Sequence, residues 1–147
     1  MGKLATLKTM SGHDRLLFLE AVLLLAFARF CVRFLRFHHY AGLLGPQCEG
    51  EMLQPVQADQ VTRDEIQAIG QEIKRAANNV PWQAVCLPQA MAGKWMLKRR
   101  GIASALYLGL ARGDNIELKA HAWLVAGKVP VTGVASREEF TQVARFC

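Results

Sequence analysis

Acidic residues are scarce in this chain. It carries 12 of them against 18 lysines and arginines, a net charge of +6 over 147 residues. That balance favours acidic partners. It does not single out nucleic acid, because no basic run is interleaved with aromatics. The one exception, Phe34-Leu35-Arg36-Phe37-His38-His39-Tyr40, continues a helical pattern. A long apolar run is also missing. Leu16 to Ala28 is apolar, but Glu20 interrupts it and Arg29, Arg33 and Arg36 follow at helical spacing. A membrane span needs about 20 apolar residues. Ala26-Phe27-Ala28 resembles a signal-peptidase site, yet Glu20 and the arginines argue for a retained amphipathic helix. Cysteines are few: Cys31, Cys48, Cys86 and Cys147. None lies in a C-x-x-C pair, so neither a zinc site nor any other metal or cofactor is expected. A chain that is 52% hydrophobic needs no disulfide framework. The expectation is reduced thiols in a cytoplasmic protein. There is no internal repeat and no low-complexity tract. Met1-Gly2-Lys3-Leu4-Ala5-Thr6 fits a myristoylation pattern too short to carry weight.

What is present reads as helices followed by strands. Ser11 with Asp14 resembles a capping box. Leu16, Leu19, Leu23, Phe27, Phe30 and Phe34 then recur at helical steps up to a stop at Gly42 and Gly45-Pro46. The bland reading of that stripe is a core helix, and of the arginine ridge a solvated face. Gly45 to Gln60 reads as a linker or extended arm. Thr62-Arg63-Asp64-Glu65 is a second capping signature, with Ile66, Ile69 and Ile73 as the apolar face behind it. A third helix opens at Cys86, with Pro88 tolerated in its first turn and Gly101 suited to its end. Strands are expected over 102–111, 116–125 and 129–132. Ser136-Arg137-Glu138-Glu139 then caps a last helical turn, and Thr141 to Phe146 closes the domain. The order is α+β. It divides into an N-terminal helical extension and linker, 1–60, and a core, 61–147, packed as one unit.

Cys86 and His121 carry the chemistry. A cysteine in the first turn of a helix points toward unpaired backbone N–H groups and the positive dipole end, which favour the thiolate. The same amides can serve as an oxyanion hole. Cys31, Cys48 and Cys147 lack such a setting. His121 lies in a strand between small Ala120 and Ala122, one strand and a turn after the cysteine helix. His13, His38 and His39 sit in helical or terminal contexts. Gln83 and Gln89 flank Cys86 as candidate oxyanion or support residues. With Gly127-Lys128 as a two-residue turn, Trp123 faces Thr132 and His121 faces Val134. Thr132 is then diagonal to His121, and it, or backbone and water near it, is a candidate orienter of the imidazole. No carboxylate lies on that strand, and Asp114 and Glu117 are poorly placed. Trp82, Trp95 and Trp123 read as core.

Pro81-Trp82, Cys86-Leu87-Pro88-Gln89-Ala90, Lys98-Arg99-Arg100-Gly101-Ile102 and Ala120-His121-Ala122-Trp123 resemble the transglutaminase-like cysteine peptidases of lasso-peptide biosynthesis, the leader peptidases that form the catalytic half of the B protein. The resemblance runs from about Asp14 to Phe146. It implies a papain-like core with Cys86 as nucleophile and His121 as base. It also implies removal of the leader from a ribosomally made precursor. The family's Asp, about a dozen residues after the histidine, is absent from Val131-Thr132-Gly133-Val134. With no room for a winged-helix-like module before the first helix, the resemblance implies a separate leader-recognition protein and a macrolactam cyclase as partners. Two other functions fit the same residues. One is a transglutaminase-type acyl transferase. The other is a non-catalytic peptide-binding scaffold.

Overall fold

The computed structural model describes residues 8–49 and 59–147. The myristoylation-like pattern and most of the expected arm fall outside them. Four helices precede a four-stranded antiparallel sheet: α1 (Gly12–Phe34), α2 (Phe37–Tyr40), α3 (Gln60–Asn79), α4 (Cys86–Arg99), β1 (Ala105–Arg112), β2 (Leu118–Ala126), β3 (Val129–Thr132) and β4 (Thr141–Phe146). Short 3₁₀ turns occupy Ala41–Leu44 and Val134–Glu139. The sheet order is β3-β2-β1-β4. The helical turn expected at Ser136 is the 3₁₀ turn Val134–Glu139, and the closing segment is a strand paired with β1.

The cap at α1 is as expected: Ser11 Oγ accepts from Asp14 N–H at 3.2 Å. The helix stops at Phe34 rather than near Tyr40. Leu35 and Arg36 are extended, and this bend lets Tyr40 be buried and Phe37 pack edge-on against Phe146. Tertiary packing overrides helical propensity there. At α3 the cap is Asp59 and not Thr62, with Asp59 Oδ1 accepting from Thr62 N–H at 2.9 Å. Asp and Thr are both good caps, so the sequence alone did not separate them. α4 opens at Cys86 and ends as expected on Gly101, whose φ of 70° needs a glycine.

α3 and α4 pack over one face of the sheet, and α1 packs against α3 and α4. Leu17, Leu25, Ile66, Ile69, Ile73, Met91, Met96, Leu106 and Leu124 form the centre of a single buried cluster. Glu20 fastens the helices at one corner, meeting Arg100 at 2.7 Å and Arg99 at 2.8 Å, while Arg100 also reaches Glu65 at 3.3 Å. Burial pushes the Glu20 carboxyl up, but the two guanidiniums outweigh it and hold it below the usual range.

The reduced-thiol expectation needs correction for two cysteines. Cys48 and Cys147 form a disulfide across 99 residues. Around it Cys48 N–H donates to Arg145 O at 2.9 Å, Cys147 N–H donates to Pro46 O at 3.0 Å, and Gln47 bridges Phe146. Residues 46–48 thus line the free edge of β4. Two cysteines so far apart carry no spacing signal, which is why the pairing was illegible. Cys31 is buried and Cys86 half-buried, both free thiols. No described helix is long and apolar enough to cross a membrane.

Candidate active site

Cys86 is the first residue of α4. The preceding cap, Val85, offers no side-chain acceptor. The earliest backbone bond of this turn is Gln89 N–H to Val85 O at 3.3 Å. The amides of Cys86 and Leu87 precede any intrahelical acceptor, and Pro88 has no N–H to compete. A half-buried thiol at an uncapped helix start is the setting in which backbone amides favour an anion. The segment before it is tied down from two sides. Gln89 Nε2 donates to Ala84 O at 2.7 Å, and Arg29 Nη1 on α1 donates to Gln83 O at 2.9 Å. Gln89 therefore braces the loop with the amide proposed for an oxyanion. The Gln83 side chain is on an exposed residue. Arg29 is a tether and not merely part of a solvated ridge.

His121 lies on β2 opposite Gly109 of β1. α4 runs parallel to β2. A Cβ on Gly93 would touch Leu124, and the helix end leads through Gly101 into Ala105, which pairs with Val125. Seven residues back along the helix and three back along the strand are each about 10 Å. Cys86 and His121 are thereby brought to the same end of the layer, where Gln89 of the first turn borders the cleft of Gly133 and Ser136. They differ in face. Leu124 and Ala122 point toward the helices, so strict alternation turns His121 to the other side of the sheet. There its ring stacks on Phe140 at 4.9 Å and Trp123 at 6.0 Å. Gly109 supplies the space, since a Cβ there would collide with Trp123 and Phe140. No hydrogen bond joins Cys86 to His121 among the described residues.

The imidazole is anchored through Nε2. Gly133 O lies 2.7 Å away and Ser136 Oγ 3.3 Å away. A carbonyl only accepts, so Nε2–H donates to it, and Nδ1 is the ring nitrogen left to face a thiol. The orienter expected at Thr132 is corrected. Its Oγ1 is buried without a hydrogen-bond partner, and Thr132 pairs with Leu124 rather than Trp123. The turn begins as counted, with Ala126 facing Val129, but a bulge between Leu124 and Val125 then shifts the register by one residue. Thr132 thus shares the helix-side face of Leu124. Backbone near Thr132 is the alternative orienter, and Gly133 O is such a group, whereas sequence reasoning missed Ser136 and Phe140. A glycine within the β1 pattern, Gly109, was the available signal of a close approach there.

Beside this anchor lies a cleft of about 490 Å³, lined by Thr132, Gly133, Ser136, Gln89, Lys74 and Asn78 among others. It adjoins the residues that hold His121 and the first turn of α4. No cluster of metal-binding side chains exists among the described residues.

A family model described as transglutaminase-like superfamily matches residues 28–145. The chain belongs to the transglutaminase-like superfamily. The match begins inside α1 and ends within β4. It agrees with the α+β arrangement of helices followed by an antiparallel sheet. The superfamily includes cysteine peptidases and acyl transferases and is usually enzymatic. No curated protein and no solved structure matches the chain.

Proposed function

We propose that this protein is a cysteine peptidase that removes the leader from a ribosomally synthesised lasso-peptide precursor, with Cys86 as nucleophile and His121 as base. The observation that carries the reading is the free thiol at the uncapped start of α4, whose first turn borders the same cleft as the anchor of His121. The Cys86 thiol gives its proton to His121 Nδ1, and the sulfur attacks the scissile carbonyl. The amides at the start of α4 receive the oxyanion. The tetrahedral adduct collapses to a thioester as the imidazolium protonates the leaving amine. Water, deprotonated by the same imidazole, then hydrolyses the thioester. Reaching the sulfur requires the imidazole to leave its stacked position and turn about the edge of β2 that β3 leaves uncovered before Leu124. A separate recognition protein delivers the leader, and a cyclase takes the cleaved core peptide. A cytoplasmic site of action fits that role. It does not follow from the cysteines, because disulfides persist mainly in oxidising compartments.

The test is incubation with precursor and recognition protein, read by mass. Leader and core differing from the precursor by one water support hydrolysis. A product joining two partners would move the assignment to acyl transfer. Cys86→Ala should abolish cleavage in a folded protein, whereas Cys31→Ala should retain it. One observation favours a second reading, the non-catalytic scaffold: among the described residues no carboxylate is hydrogen-bonded to His121. A Cys86 thiol inert to iodoacetamide in the folded protein would select it.

A further inference from the structure

α1 has two apolar faces. Leu17, Ala21, Leu25, Ala28 and Cys31 are buried against the other helices. Leu16, Leu19, Leu23, Phe27, Phe30 and Phe34 step along the opposite side by three and four residues, and they are open to solvent. Leu16 is 69% exposed, Leu23 70%, Phe34 69%, and the other three about half. The stripe is about 27 Å long. Its exposed area is on the order of 600 Å², at the upper end of what a monomer leaves uncovered. Phe27 rests on Trp95 at 5.4 Å and Phe30 on Phe34 at 5.2 Å, but each of the six keeps about half or more of its surface uncovered.

We propose that this face docks on an anionic lipid surface, with α1 lying in the plane of the headgroups. Charge selects the occupant. At 100° per residue Arg15, Arg29 and Arg33 fall along one flank of the stripe, and all three are exposed. On the other flank stands Glu20, paired with Arg99 and Arg100, and Arg100 also meets Glu65, so the charges there cancel. The apolar ridge is thus bordered by cations along one side and by a neutral ion-pair cluster along the other. A bilayer with acidic headgroups takes such a helix, apolar face down and arginine heads among the phosphates. A shallow groove of about 340 Å³ between Phe30, Phe34 and Trp82, rimmed by Arg29 and Arg33, gives an acyl chain a place under those heads. A second copy of the chain is a poorer occupant. Antiparallel pairing of two such stripes sets the flank of Arg15, Arg29 and Arg33 against itself.

The experiment is flotation of the full chain with phosphatidylcholine vesicles, with and without roughly one-third phosphatidylglycerol. Binding at least about tenfold stronger to the acidic vesicles, and weakened by salt, is expected. Leu16→Glu/Leu23→Glu should abolish flotation while circular dichroism stays unchanged, since both side chains face solvent. Arg33→Glu leaves the apolar stripe intact and should still weaken binding about tenfold. No flotation of the parent would overturn the proposal, as would equal binding to neutral vesicles. Parent self-association that the double variant abolishes, without flotation, would give the face to a second copy and overturn it too.

Discussion

His121 is held by neutral partners, and that sets what each can contribute. Gly133 O at 2.7 Å takes the Nε2 proton, and Ser136 Oγ at 3.3 Å is a weaker second contact. A carbonyl and a hydroxyl carry no charge, so they stabilise imidazolium less than a carboxylate would. Ser136→Ala should therefore slow single-turnover cleavage by less than about tenfold, while His121→Ala should nearly eliminate it. Ser136→Asp should speed single-turnover cleavage, because a carboxylate within reach stabilises the imidazolium formed on proton transfer. An unchanged rate would show that Ser136 does not face the ring in solution. Lys94 is a second residue with a sharp consequence. It is buried, donates to Ser104 O at 2.8 Å, and has its pKa lowered to about 8, chiefly by desolvation and then by Lys98. Below pH 8 folded and unfolded chains both hold the proton, and the buried charge costs its full amount. From about 8 upward the folded state releases the proton first, so stability rises. Cys31 and Tyr40, both pushed up by burial from 9.0 and 10.0, act in the opposite sense above those values. The net gain should thus be confined to about pH 8–9. Denaturant unfolding of Lys94→Met should show that gain lost.

At the level of elements, the cysteine helix was legible and the strand register was not. Cys86, Pro88 and Gly101 each mark a helix boundary by local chemistry, and the structure follows them. The β3 pairing depends on one bulge between Leu124 and Val125, which no turn count from Gly127 and Lys128 contains. Thr132 moved to the wrong face for that reason, and Ser136, beyond the strand, became the neighbour of His121. Helix–strand contact explains where β3 sits. A Cβ on Gly70 of α3 would lie 2.8 Å from the Val131 carbonyl oxygen, and that oxygen belongs to backbone that cannot swing aside. Gly70→Ala gains about 1 kcal/mol in helix propensity. Overpacking against β3 costs about 1–3 kcal/mol. A net loss of about 1 kcal/mol in urea unfolding is expected, with a slower cleavage rate as Gly133 is displaced with its strand. A stabilised variant with unchanged kinetics would mean that α3 and β3 separate freely.

Across the whole molecule the Cys48–Cys147 disulfide is the longest-range constraint, and it was the least visible in the sequence. Composition argued correctly for a real core, and the core exists without it, centred on α1, α3, α4 and the helix side of the sheet. The bridge adds a different kind of stability. It closes 99 residues, from the segment after α2 to the end of β4, and so holds residues 46–48 along the sheet edge. In the chain-entropy view, closing about 100 residues restricts the unfolded ensemble by roughly 4–5 kcal/mol, though native bridges often deliver less. Cys48→Ser should therefore lower unfolding free energy by about 2–4 kcal/mol. The same loss should follow from dithiothreitol on the parent, and the reductant should add nothing to the variant. Cys86 and His121 lie on α4 and β2, away from that edge, so the variant should keep its single-turnover cleavage rate at a temperature where it is folded. Equal denaturation midpoints for parent and variant under oxidising conditions would show that the bridge does not form in solution. A variant that is folded but catalytically dead would tie the β4 edge to the site, a coupling that the separate positions of Cys48 and His121 give no reason to expect.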